Sequence, residues 1–237
     1  MRAANKMFVY MVKQITQEMM MILLAIAPVL AGLFFRIGIP LLENTVLLHY
    51  GLEKILVPYY EIFSWLLAML TGMLFAFVGG LVVLGEIDDN VAKYIMVTPA
   101  GIRGYLSSRI LIPAFISGLV ALICVPVFSL VRIGVAKLMV MVISTVLSGI
   151  VTAMLVVTNS SNKVEGMAVG KLAGLFGMVF FLPLAVTGMI KYAFCLFPMF
   201  WIGEWSISGK WGYLILAFVE YSIWIIVLFL RFRKKMI

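Results

Sequence analysis

The sequence predicts an all-α membrane protein of six transmembrane helices, and three observations carry that prediction. First, 65% of the 237 residues are hydrophobic and 12% are charged, whereas a soluble domain carries about 25% charge. Second, mean hydropathy is +1.18. So little charge cannot cover a soluble globule, and so much apolar surface excludes a disordered chain. Third, the charges are clustered, and they leave six uncharged or nearly uncharged runs of 17–25 residues. A bilayer core needs roughly 20 residues of helix.

Taken in chain order, Asn5–Glu18 comes first. Met7, Phe8, Met11, Val12 and Ile15 follow helical spacing, with Lys6, Lys13, Gln14, Gln17 and Glu18 between them. This reads as an amphipathic helix lying in the membrane interface; a simple extension of the first span is the other reading. The spans themselves are expected at about 19–39, 62–84, 107–131, 138–158, 170–190 and 211–231, in one membrane domain covering 1–237. Two intervening stretches, Leu41–Glu61 and Tyr192–Tyr213, are too polar to span and rich in Tyr or Trp. Aromatic belts sit at headgroup level, so both read as short interfacial or re-entrant helices on the outer face.

Six spans put both termini on one side. That side collects twelve Lys and Arg, against six on the other. The positive-inside rule then makes it cytoplasmic, and the tail Arg231-Phe-Arg-Lys-Lys235 becomes a stop-transfer anchor that meets anionic lipid. The net charge of +8 is thereby accounted for without nucleic acid. The chain begins with no short apolar run and small-residue cleavage site, so no removable signal peptide is expected. Cys124 and Cys195 stand in no metal or redox spacing.

Chemistry of the enzymatic kind is sparse. One histidine, His49, cannot build a multi-histidine metal site. No Gly-x-Ser-x-Gly occurs. Gly166-Met-Ala-Val-Gly170-Lys171-Leu172 falls one residue short of a phosphate-binding loop and lacks its hydroxyl. Glu220, near the middle of the sixth span, costs about 2.5–3.5 kcal/mol to bury unless it meets protein or water. It is a candidate for the substrate pathway or proton coupling, or a packing residue between helices.

The most informative polar stretch is the inner loop 85–106. Glu86, Asp88 and Asp89 fit the start of a short helix, where acids satisfy free amides and the helix dipole. Ile87, Val91, Tyr94 and Ile95 then share a face. Thr98-Pro99 ends the helix, because the residue before proline is pushed out of the α region.

This loop, with its acidic start, Val-Thr-Pro and Arg103-x-Tyr-Leu-x-Ser-Arg109, resembles the first inner loop of ATP-binding-cassette type-2 exporter permeases. The run Asn162-Lys-Val-Glu-Gly166 is similar to the second inner loop of that family's fluoroquinolone and multidrug export branch. The resemblance implies that Glu86, Asp88, Asp89, Tyr94, Thr98, Pro99, Arg103, Asn162, Lys163 and Glu165 couple the chain to a separate ATPase. ATP and Mg would be held by that partner and no cofactor by this chain. It further implies a second permease as homodimer or heterodimer partner and residence in the plasma membrane. The substrate would be a hydrophobic or amphipathic drug, antibiotic peptide or lipid. Two other readings stay open: a secondary carrier or channel using Glu220, and a non-transporting immunity or assembly partner of an ATPase.

Overall fold

The computed structural model describes residues 2–47, 56–96, 101–186 and 188–236. Among them no strand occurs. Six helices are long and apolar enough to cross a membrane: Met19–Thr45, Val57–Asp88, Gly101–Phe128, Val135–Asn159, Lys163–Ala185 and Trp211–Lys235. These are spans 1 to 6. A leading helix, Arg2–Gln17, precedes span 1. A short loop helix, Val91–Met96, follows span 2. A connecting helix, Pro198–Ser208, lies between spans 5 and 6.

Spans 2 and 4 form the centre. Their most apolar windows are 67% and 78% buried, against 17% and 22% in spans 1 and 6. The sequence explains why these two pack closest. A Cβ added at Gly72 of span 2 would stand 2.5 Å from the Thr145 carbonyl oxygen of span 4, and one at Gly149 would stand 3.2 Å from the Gly72 carbonyl oxygen. Small residues let helix backbones approach where lipid offers no hydrophobic drive to association. Hydroxyls then knit the contact: Thr145 Oγ1 donates to its own helix at Met141 (2.8 Å) and across to the Ala68 carbonyl (3.0 Å).

The helices run longer than the uncharged runs suggest. Span 1 continues to Leu47 through two π-helical turns, Phe34–Gly38 and Glu43–Leu47. The start of the stretch 41–61 is thus the end of span 1, and its last residues, from Val57, open span 2. A separate interfacial helix is therefore not what occupies either end of that stretch; His49, Glu53 and Lys54 lie outside the described residues. The other aromatic stretch does hold a helix of its own, the connecting helix. It is closed by Gly209 at φ +67°, the left-handed position that favours glycine.

The ends of the spans fall into two groups. The start of span 1, the end of span 2 and the starts of spans 3 and 5 meet at one end with the ends of spans 4 and 6. We call this the termini end.

Candidate functional site at the termini end

Glu86 lies in the last turn of span 2, and Arg109 lies two turns into span 3. Arg109 Nη2 reaches Glu86 Oε1 at 2.5 Å, and Nε lies 3.1 and 3.2 Å from the two carboxylate oxygens. Tyr105, one turn before Arg109, donates its hydroxyl to Glu86 Oε2 at 2.8 Å. The Arg109 guanidinium carbon also stands 5.9 Å from the Tyr105 ring centroid. Both charged side chains are 1% exposed. A buried carboxylate survives only when paired and hydrogen-bonded, and the forked guanidinium together with the phenol supplies both. Span 3 comes this close to span 2 because Gly79 has no side chain; a Cβ there would stand 2.5 Å from the Arg109 carbonyl oxygen.

Around this pair the other helix ends are tied together. Asp88 Oδ2 accepts from the Lys163 backbone N–H at 2.9 Å, joining span 2 to the start of span 5. Lys163 Nζ reaches Glu18, the residue between the leading helix and span 1, at 2.5 and 2.7 Å. Asn162 caps span 5 by accepting from Glu165 N–H at 2.8 Å, while Glu165 accepts from Ser161 N–H at 2.6 Å. The first bond satisfies an orphan amide at the helix start, and the second ties the residue before the cap to the same turn. Lys235 of span 6 donates to the Val157 carbonyl at 2.8 Å and to that of Ser160, at the buried C-terminal end of span 4. A polar cavity of about 180 Å³ sits within this arrangement, lined by Glu18, Glu86, Asp89 and Lys163 among others.

The loop itself differs from its sequence reading. Glu86 and Asp88 belong to the end of span 2 and not to the start of the loop helix. The turn comes later, at Asp89-Asn90, with Asn90 at φ +59°, a conformation asparagine tolerates. The loop helix has no acid in its first turn. Its buried side is Ala92 with partly buried Ile95, while Val91 is 38% and Tyr94 74% exposed. The expected shared apolar face of Ile87, Val91, Tyr94 and Ile95 is therefore split, since Ile87 sits on another helix. Thr98 and Pro99 lie outside the described residues. Span 3 begins at Gly101 and not near 107, so Arg103 is an exposed residue of its first turn. It borders an apolar groove of about 430 Å³ between spans 3, 4 and 6.

Of the residues singled out from sequence, Glu86, Asp88, Asp89, Asn162, Lys163 and Glu165 come together at this end. Tyr94 projects from it. Glu220 is remote, facing the connecting helix: its Oε1 accepts from Trp201 Nε1 at 2.8 Å, and its Oε2 is buried without a hydrogen-bond partner. Sequence reasoning gave Glu18 and Lys235 no place in this site, and it quoted Tyr105 and Arg109 within the motif Arg103-x-Tyr-Leu-x-Ser-Arg109 without a role. Their i, i+4 spacing was a sign that they share a helix face.

Comparison with known proteins adds the family. The model of the Rv2686c-like family, described as fluoroquinolones export permease protein Rv2686c-like, matches residues 11–230. The chain belongs to this family. Two relatives from Mycobacterium tuberculosis are named fluoroquinolones export permease protein: MT2760 in strain CDC 1551 / Oshkosh and Rv2686c in strain ATCC 25618 / H37Rv. Each is 26% identical over 235 residues, covering 92% of this chain and 89% of the relative. No solved structure matches the chain. The six-span helical layout and the family together make this a multi-pass membrane permease of an exporter family. The polar cluster is then the part of that permease where helices from both halves of the chain are cross-connected.

Proposed function

We propose that the chain is the membrane subunit of an ATP-driven exporter, and that its termini end receives a separate ATPase. The observation that carries this is the pairing of an exposed loop helix with a buried ionic joint directly behind it. Tyr94 offers an exposed aromatic ring, Asp88 and Asp89 lie exposed beside it, and the loop helix leads through Asp89-Asn90 straight into Glu86. A push on the loop helix is passed to span 2, and through Glu86 and Arg109 to span 3. Asp88 carries it to span 5. Tyrosine is among the side chains enriched at interface anchors.

In this reading ATP and Mg are held by the ATPase, and the nucleotide-driven closure of paired ATPase subunits does the work. The positive charge at the termini end faces the cytoplasm across the plasma membrane, with the leading helix in the inner interface. The large apolar surfaces of spans 1 and 6 suit lipid and a second permease, identical or related. The substrate is hydrophobic or amphipathic, and the names of the relatives make a fluoroquinolone the first compound to test, ahead of antibiotic peptides and lipids.

Co-purification tests the docking directly. Tagged wild type is drawn from its native membrane beside Tyr94→Ala and Asp89→Asn variants, whose side chains form no hydrogen bond or ion pair among the described residues. The proposal expects a nucleotide-binding ATPase with wild type and its loss from the variants at equal permease yield. An ATPase retained equally by all, or absent from all, would count against it.

A second reading is favoured by one observation, the unpartnered buried oxygen of Glu220. In a secondary carrier that carboxyl would take up and release a proton, and no ATPase would be needed.

A further inference from the structure

The end opposite the termini holds a second polar site. A cavity of about 490 Å³ opens where span 1 passes the connection between spans 3 and 4. Two guanidinium groups, Arg36 and Arg132, line it. Among the described residues no carboxylate does; the rest of the wall is Ser129 with apolar side chains, among them Leu130, Ile133 and Leu138. Two described acids of this end are already engaged. Glu61 pairs with Lys137 at 2.7 Å, and Glu43 accepts from the Tyr60 hydroxyl.

The site is built before any ligand arrives. Arg36 lies in the π-helical turn Phe34–Gly38, a widened turn of a kind often found at functional sites. Its Nη1 donates to the Ser129 carbonyl at 2.8 Å. Ser129 is itself held, since its hydroxyl is paired with that of Ser64 at 2.8 Å and donates to the Val131 carbonyl at 2.7 Å. Val131 N–H returns a bond to the same hydroxyl at 3.2 Å. One arm of Arg36 is thus anchored to a rigid turn, which leaves the rest of its fork toward the cavity. Arg132, three residues on, has no hydrogen-bond or ion-pair partner among the described residues.

Depth and shape identify the occupant. Arg36 is 17 residues along the helix from Met19, about 26 Å at 1.5 Å per residue. That approaches the roughly 30 Å thickness of a hydrocarbon core, so the cavity lies at the level of the headgroups in the leaflet opposite the termini. Two forked cations match the oxygens of a phosphate, and the apolar wall continues toward acyl chains. We propose that Arg36 and Arg132 form a binding site for the phosphate oxyanion of an anionic phospholipid, seated between span 1 and the turn joining spans 3 and 4.

The test is native mass spectrometry of the full chain, purified and delipidated in detergent. It is titrated with dioleoyl phosphatidylglycerol, dioleoyl phosphatidylcholine or inorganic phosphate. The expected result is a retained phosphatidylglycerol, weaker retention of phosphatidylcholine and no retained phosphate. Arg132→Gln should weaken phosphatidylglycerol by about tenfold, as loss of one charge-assisted hydrogen bond would. This variant breaks no hydrogen bond or ion pair among the described residues and so should fold; Arg36→Gln should act in the same direction. Arg233→Gln/Lys234→Gln, in the basic tail, should leave the bound lipid in place. The proposal is overturned if Arg132→Gln binds as wild type does, or if only the tail variant loses lipid. Inorganic phosphate displacing the lipid and being retained alone would assign the site to a soluble anion instead.

Discussion

Replacing Glu86 by Ala removes the carboxylate that pairs with Arg109, whose side chain is 1% exposed between spans 2 and 3. It also strips the Tyr105 hydroxyl of its acceptor. Removing one partner of a buried pair costs about 3–5 kcal/mol, because the survivor's desolvation is no longer offset. At about 2–4 °C per kcal/mol for a chain of this length, the apparent Tm should fall by about 6–20 °C. Glu86→Leu combined with Arg109→Met removes both charges and fills the space with apolar atoms, so most of the loss should be recovered. The assay is thermal unfolding of the purified variants in one detergent, followed by intrinsic tryptophan fluorescence. A Glu86→Ala protein within about 1 kcal/mol of wild type, or a double variant as unstable as the worse single one, would refute the buried joint.

Further outcomes follow from the same geometry. Gly72→Ala forces a Cβ to within 2.5 Å of the Thr145 carbonyl oxygen, and such overpacking should cost about 1–3 kcal/mol; Gly134→Ala, which meets nothing within 4 Å, serves as its control in the same unfolding assay. Asn162→Ala removes the cap of span 5 and should cost about 1 kcal/mol. Lys163→Ala breaks an ion pair whose side chains are 23% and 44% exposed, so the effect should stay below about 1 kcal/mol and shrink further with salt. Lys191 is held above the usual lysine range by the Glu204 carboxylate beside it. A raised lysine contributes its full stabilisation below its unfolded value of 10.5 and loses it as pH climbs through the folded value. Melting curves across that alkaline window should therefore fall more steeply for wild type than for Glu204→Gln.

The six spans were legible because each is a local property, an uncharged run bounded by charges. Their lengths were not. The expected second span stops at 84, before the charge of Glu86, whereas Glu86 sits inside that helix because Arg109 of span 3 neutralises it. They are 23 residues apart in sequence, and no periodicity links two positions on different helices. The acidic trio shows the same limit. Acids at a helix start are favourable, so Glu86, Asp88 and Asp89 suggested a start; the observed start comes after Asn90, and two of the three acids are engaged elsewhere, with Arg109 and with the Lys163 amide. The run Asn162-Lys-Val-Glu165 was visible in the sequence because it is local, though the cap that Asn162 makes there was not assigned. The anchoring of Arg36 by Ser129, 93 residues away, was not visible.

The most direct measurement is drug flux in proteoliposomes holding the purified permease, with and without its co-purifying ATPase, using a fluorescent fluoroquinolone. The account predicts flux only when ATPase and Mg-ATP are both present, abolished by Tyr94→Ala and retained by Glu220→Gln. Flux by the permease alone under a proton gradient, abolished by Glu220→Gln, would contradict it and make the chain a secondary carrier.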